Sequence, residues 1–216
     1  MADSIHPDDN PSLEYMRSIK EAIHPRASYY SALGRFMDEF ASIEALMHSL
    51  LSHHANVDHK VAQAVFSGVK ADVAMGHVRR LLEVYPTDNA DELRSLFDQL
   101  AIINGIRNLI VHYGAKPDEL EELVTSNEYM ALTADRVRKA TVSPKALRRM
   151  TDDLLKIHAH LVMHLTPEAV SGDPLKWCQK MMRQPWRYIP PAPKPKDQQK
   201  PKNARKRQRQ HESSRG

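Results

Sequence analysis

A chain of 216 residues, 41% hydrophobic and 27% charged with only seven glycines, has room for one core plus tails and favours helices over sheet. The single Cys178 excludes an intramolecular disulfide and points to a reducing, cytoplasmic setting, and nothing around it makes it a catalytic nucleophile. The acidic, Pro-containing start lacks the basic-then-apolar run of a signal peptide, and no apolar stretch reaches the roughly 18 residues of a membrane span, so no membrane partner is expected.

Residues 1–27 read as a polar leader and residues 28–188 as a helical domain. Within the domain, Leu33, Phe36, Met37, Phe40, Ile43, Leu46, Met47, Leu50 and Leu51 recur at three- and four-residue steps, the period of a long helix. A second amphipathic segment, "KVAQAVFSGVKADVAMGHVRRLLEVY", closes at Pro86. The third helix carries a mark at each end. Asn89 can cap it with Glu92 three residues on, as in a capping box, and Gly114 suits the left-handed end position.

Beyond it, "SNEYMALTADRVRKATVS" has alternating and β-branched character around "TADR" and reads as a small hairpin or irregular excursion. Ser143 followed by Pro144 starts a fourth long helix that ends near Thr166 and Pro167. A last short helical piece around "DPLKWCQKMMRQPW" is expected to anchor through Trp177 and Trp186. The fold expected is all-α, a four-helix, up-and-down-like bundle with a short insertion before the last helix. The ten methionines read as core and gap filler.

The net charge of +4 hides an asymmetry. Residues 190–216 carry nine Lys or Arg against two Asp or Glu, a local charge of +7 that leaves −3 for the rest. Residues 189–216, with almost nothing apolar to bury, are expected to be a disordered, partly extended tail. Such a tail either solubilises the protein or grips nucleic acid without regard to sequence, with Lys202, Arg205, Lys206, Arg207 and Arg209 as its densest basic run.

The sharpest feature lies in "AIINGIRNLIVHYGAKP", residues 101–117, an apolar helix that still carries Asn104, Arg107, Asn108 and His112. Polar groups on a buried helix are costly unless paired or employed. Positions four apart lie about 40° from each other around a helix, so Asn104, Asn108 and His112 form one stripe bordered by Arg107. Such a stripe serves a core hydrogen-bond network, a subunit interface or a ligand site.

The string "RNLIVHYG", with Arg107, then Asn108, then His112 near a helix end, resembles the signature of HEPN domains (higher eukaryotes and prokaryotes nucleotide-binding), with a loose likeness over residues 28–166. The resemblance implies a metal-independent endoribonuclease that turns a ribose 2′-hydroxyl on the adjacent phosphate and works as a homodimer. No cofactor is implied. His112 would be the general acid or base, Arg107 would hold the scissile phosphate, and Asn108 would orient both; Asn104, Tyr113 and Glu44 would support them. Imidazole trades a proton near neutral pH and guanidinium binds phosphate through a fixed fork, so the residue types suit those roles. A HEPN toxin subgroup carries Tyr two residues after the His; Gly114 stands there in this chain, so that tyrosine's role does not transfer to Tyr113. RNA is the implied substrate, an antitoxin or other protein a further partner, and a non-catalytic dimerisation or nucleotide-binding module the alternative.

Glu44, alone among apolar residues of the first long helix, either pairs with Arg107 or His112 or faces solvent with Asp38 and Glu39. His160 and His164 have the i, i+4 spacing of metal ligands but lack the Glu of a His-Glu-x-x-His arrangement, and His158 stands beside them. His53, His54 and His59 suit a helix C-terminus. No metal site is expected from either group.

Overall fold

The computed structural model describes residues 11–118 and 122–190, with side chains from residue 26 onward within the first helix. Six helices, α1 (Pro11–Ala55), α2 (His59–Phe66), α3 (Ala71–Val84), α4 (Ala90–Tyr113), α5 (Pro144–Leu165) and α6 (Gly172–Met182), make the protein mostly helical. A three-stranded sheet lies between α4 and α5, formed by β1 (Lys116–Pro117), β2 (Leu123–Ser126) and β3 (Lys139–Thr141). Residues 191–216 of the basic tail, with Lys202, Arg205, Lys206, Arg207 and Arg209, lie outside the described residues, as do residues 1–10.

Helix α1 starts at Pro11, so much of the polar leader is helical and continuous with the periodic segment. Phe36, Phe40, Ile43, Met47 and Leu50 are fully buried along one face, while Leu33, Met37 and Leu46 flank it. The helix ends where Asn56 takes φ 51°, a left-handed conformation that asparagine tolerates better than most residues.

The second amphipathic segment is two helices rather than one. Ser67 leaves helical geometry at ψ 128° and Gly68 turns at φ 77°, a conformation open to glycine because it has no Cβ. The apolar period runs on across the break and hides it. Ala74, Met75, Val78 and Leu82 of α3 reach the core, whereas α2 buries only Ala62. As expected, α3 stops just short of Pro86, because a residue before proline avoids helical geometry.

The added helix changes the direction of those that follow. Ser28, Glu39 and His54 of α1 meet Arg148, His158 and His164 of α5 in the same order, so the two helices run parallel. Asn89, Glu92 and Gln99 meet His164, His160 and Asp153 in the opposite order, so α4 is antiparallel to α5. In a simple up-and-down order of four helices, first and last would be antiparallel; α2 supplies the extra reversal. Helix α1 packs against α3 and α5, and α4 packs against the same two.

Of the two capping signals of α4, only the one at its end acts as a cap. Gly114 takes φ 66° and its amide closes on the Ile110 carbonyl at 2.8 Å. Asn89 makes no side-chain cap and no capping box forms, because Asn89 and Glu92 both reach across to histidines of α5. Helix α5 begins as its sequence specifies, with the Ser143 hydroxyl accepting from the Ala146 amide at 3.2 Å and Pro144 in the first turn.

The excursion is a hairpin of β2 and β3, antiparallel with Val124 opposite Thr141, and β1 adds a third strand on the other edge of β2. "TADR" forms a single 3₁₀ turn at its tip, Ala134–Arg136. Asn127 braces the tip by accepting from the Arg138 amide at 2.6 Å and donating to the Arg136 carbonyl at 3.2 Å.

Helix α6 packs on α5 with Cys178 buried. Trp186 packs against the core, but Trp177 is 40% exposed with its ring edge-on to His158, so the anchoring is mostly by Trp186. The segment after α6 is fastened by Asp153, a carboxylate only 1% exposed. It accepts from the Arg187 amide at 2.7 Å, the Tyr188 amide at 2.9 Å and the Gln99 side chain at 2.7 Å. Gln99 also donates to the Tyr188 carbonyl at 3.0 Å. Burial pushes the Asp153 carboxyl up and the three hydrogen bonds pull it back.

Replacing Asp153 with Ala strands those donors in the interior and is expected to destabilise the fold by ~3 kcal/mol, read as a lower midpoint in urea denaturation followed by circular dichroism. A change under ~0.5 kcal/mol would mean that water reaches the donors and that the knot is not closed.

Candidate functional site

The polar stripe of α4 is neither sealed in the core nor wholly open. Asn104 is buried at 9% exposure, Asn108 is half-buried and His112 in the last turn is exposed. The stripe therefore runs obliquely from core to solvent. Ile103, Ile106, Leu109 and Ile110 are buried as expected of core positions, but Ile102 at 37% and Val111 at 51% exposure are not. The helix is thus less enclosed than its apolar sequence implies.

Arg107 is the most constrained member. Its Nη1 donates to Asn108 Oδ1 at 3.1 Å, its guanidinium lies 5.2 Å from the centre of the Phe40 ring, and its Nη2 stands 3.7 Å from Glu44 Oε2. Its Nε is buried without a hydrogen-bond partner. Of the two expectations for Glu44, the structure realises the pairing with Arg107. At that distance the pair is electrostatic contact without a hydrogen bond. The guanidinium therefore keeps donor capacity while α1 holds it by an aromatic face and a carboxylate.

His112 and Tyr113 are neighbours with ring centres 6.1 Å apart, tilted at 59°. The exposed imidazole can meet a ligand from solvent. Tyr113 is half-buried and packs against the core cluster, which suits an aromatic edge more than a free stacking platform.

A second polar region, which the sequence presents as separate pairs, forms at the opposite end of α4. His53 and His54 from α1 meet His164 from α5, with His54 Nε2 3.1 Å from His164 Nε2 and the two rings within 22° of parallel, their centres 5.2 Å apart. His53 stands edge-on to both. Burial, then His164 and His53, push the His54 imidazole down to about 4. Burial and His53 also lower His164, against the pull of Glu92. His160 Nδ1 lies 2.7 Å from Glu92 Oε1, and burial lowers that imidazole as well. His158 faces Glu39 at 3.9 Å. The i, i+4 spacing of His160 and His164 thus serves two different α4 partners, and among the described residues no three His, Cys, Asp or Glu are placed to hold a metal. An opening of about 770 Å³ near this end lies between α1 and α2 and includes His48, His53, His59 and Phe66, away from Arg107. Sequence spacing alone does not reveal the trio, because His164 lies 110 positions from His54.

Comparison with protein-family models, curated proteins and solved structures gave no match to this chain. Among the described residues no helix is long and apolar enough to cross a membrane.

Glu44→Gln removes one charge of a pair whose side chains are 33% and 26% exposed, and is expected to cost less than ~1 kcal/mol in urea denaturation. A loss above ~2 kcal/mol would show that the pair supports the fold rather than merely aiming Arg107.

Proposed function

We propose that the chain is a metal-independent endoribonuclease of the HEPN type, acting as a homodimer, in the manner of a toxin, defence or stress effector in the cytoplasm. The observation that carries this reading is Arg107, steered by Asn108, Phe40 and Glu44 beside a stripe whose far end presents His112 to solvent. The ring of contacts among α1, α3, α4 and α5 supports a four-helix, HEPN-like core, with α2, α6 and the small sheet as additions.

In the proposed reaction His112 takes the proton of a ribose 2′-hydroxyl, whose oxygen attacks the adjacent phosphorus. The bond to the 5′-oxygen breaks, and that oxygen is protonated by a second imidazole or by water, leaving a 2′,3′-cyclic phosphate. Arg107 takes up charge on the non-bridging oxygens as it develops. Because Glu44 already stands near Nη2, a phosphate would compete with it for the guanidinium. Exposed Val111 borders the stripe and supplies apolar surface on which a second copy can pack. The same Glu44 pairing favours the alternative, a non-catalytic module in which Arg107 only organises an interface.

Purified protein is expected to cut RNA in EDTA, and His112→Ala to lower the rate at least ~100-fold with helicity and oligomeric state unchanged. Wild-type protein that leaves a broad RNA pool intact would reject the enzyme reading and favour the module. Removing residues 191–216 is expected to weaken RNA binding and flatten its dependence on salt, as loss of phosphate contacts requires. An unchanged salt slope would leave the tail a solubiliser.

A further inference from the structure

Three helices meet in an ordered chain of polar side chains at the end of the fold remote from His112. The Thr87 hydroxyl donates to Asn89 Oδ1 at 2.9 Å, which turns the Asn89 amide nitrogen toward His164 Nδ1 at 2.6 Å. An amide nitrogen only donates, so His164 Nδ1 must be the acceptor and carry no proton. Neutral His164 then bears its proton on Nε2, 3.1 Å from His54 Nε2. That atom must in turn be a bare acceptor, and His54 keeps its proton on Nδ1. Each link fixes the next. Run in this direction, the chain holds only while both imidazoles are neutral.

We propose that His54, His164 and Asn89 form an acid-released latch that ties the end of α1 to the end of α5 and the start of α4. Protonating His164 puts a hydrogen on Nδ1 facing the Asn89 donor, and protonating His54 puts one on Nε2 facing the His164 donor. Either event sets donor against donor in this direction of the chain and places a charge beside another imidazole.

The groups facing the latch act in both directions. From α1, His53 stands edge-on to both rings and disfavours a second charge. From α4, Glu92 favours protonation of His164, but His160 of α5 also holds its carboxylate at 2.7 Å. Lys156 of α5 opposes a charge on His160. The balance keeps His54 neutral down to about 4 in the closed state, against an ordinary value of 6.5. The open state therefore binds more protons between those values. The latch is fully stable above about 6.5 and loses stability as pH falls toward about 4. His53 also lines the opening between α1 and α2, so release acts on that corner of the molecule.

Hydrogen exchange of the full chain, corrected for the intrinsic pH dependence of exchange, tests this between pH 7.5 and 4.5. Amides near residues 50–57 and 161–166 are expected to lose protection at least tenfold more than those around Leu100 and Leu154. His54→Gln keeps an acceptor for the His164 donor but cannot be protonated, and is expected to abolish most of that local loss while matching wild type at pH 7.5. His164→Gln gives a second, independent test by removing the other titrating ring. Ring nitrogen resonances read the tautomers directly in wild type: protonated Nε2 in His164 and protonated Nδ1 in His54 are expected. The opposite tautomers, an end that stays closed to pH 4.5, or a His54→Gln protein that opens with the wild-type pH profile would each overturn the latch.

Discussion

The buried carboxylate of Asp153 is the constraint on which the arrangement of the later helices depends. A charge held at 1% exposure is tolerable only when each oxygen is met by donors, and these come from α4 through Gln99 and from the segment after α6 through Arg187 and Tyr188. One α5 residue thereby fixes α4 at its middle and turns the chain back over the core after α6. Lys156, one turn below, adds to the same closure by donating to the Gln184 carbonyl at 2.5 Å with its ammonium 4.2 Å from the Trp186 ring centre. Burial lowers that lysine, while Asp153 and Glu92 support its charge.

With α4 fixed at its middle, its two ends are left for polar chemistry of different kinds. The first turn spends Asn89 and Glu92 on histidines of α5 instead of on its own amides, so the start of the helix is held by tertiary contacts. The last turns carry Arg107 and His112 on a surface that opens outward, with α1 contributing Phe40 and Glu44. A helix that looks wrongly polar for a core element is therefore polar where it leaves the core. The cost of Asn104 is limited because it sits at the margin between buried and open faces.

The parallel course of α1 and α5 follows from the short helix α2 and gives both regions their composition. Because the helices run the same way, their C-terminal turns share one end, and histidines placed in each for helix-terminal reasons become a cluster. The Gly68 break is the local event behind this, and its signal is two residues inside an unbroken apolar period.

Local features with a local cause were legible in the chain. The α1 period, the stop before Pro86, the Ser143–Pro144 start and the left-handed Gly114 all depend on nearest-neighbour geometry, and the structure realises each of them. What tertiary packing decided was the partner of each polar side chain. Asn89 and Glu92 had an acceptable local use as a cap, but they meet histidines of α5 at 2.6 and 2.7 Å instead, and Glu44 had solvent and Arg107 to choose between. Composition and spacing rank such options by residues that are close in sequence. Burial changes the ranking, because a polar group taken from water must find whichever partner the packed helices bring within reach.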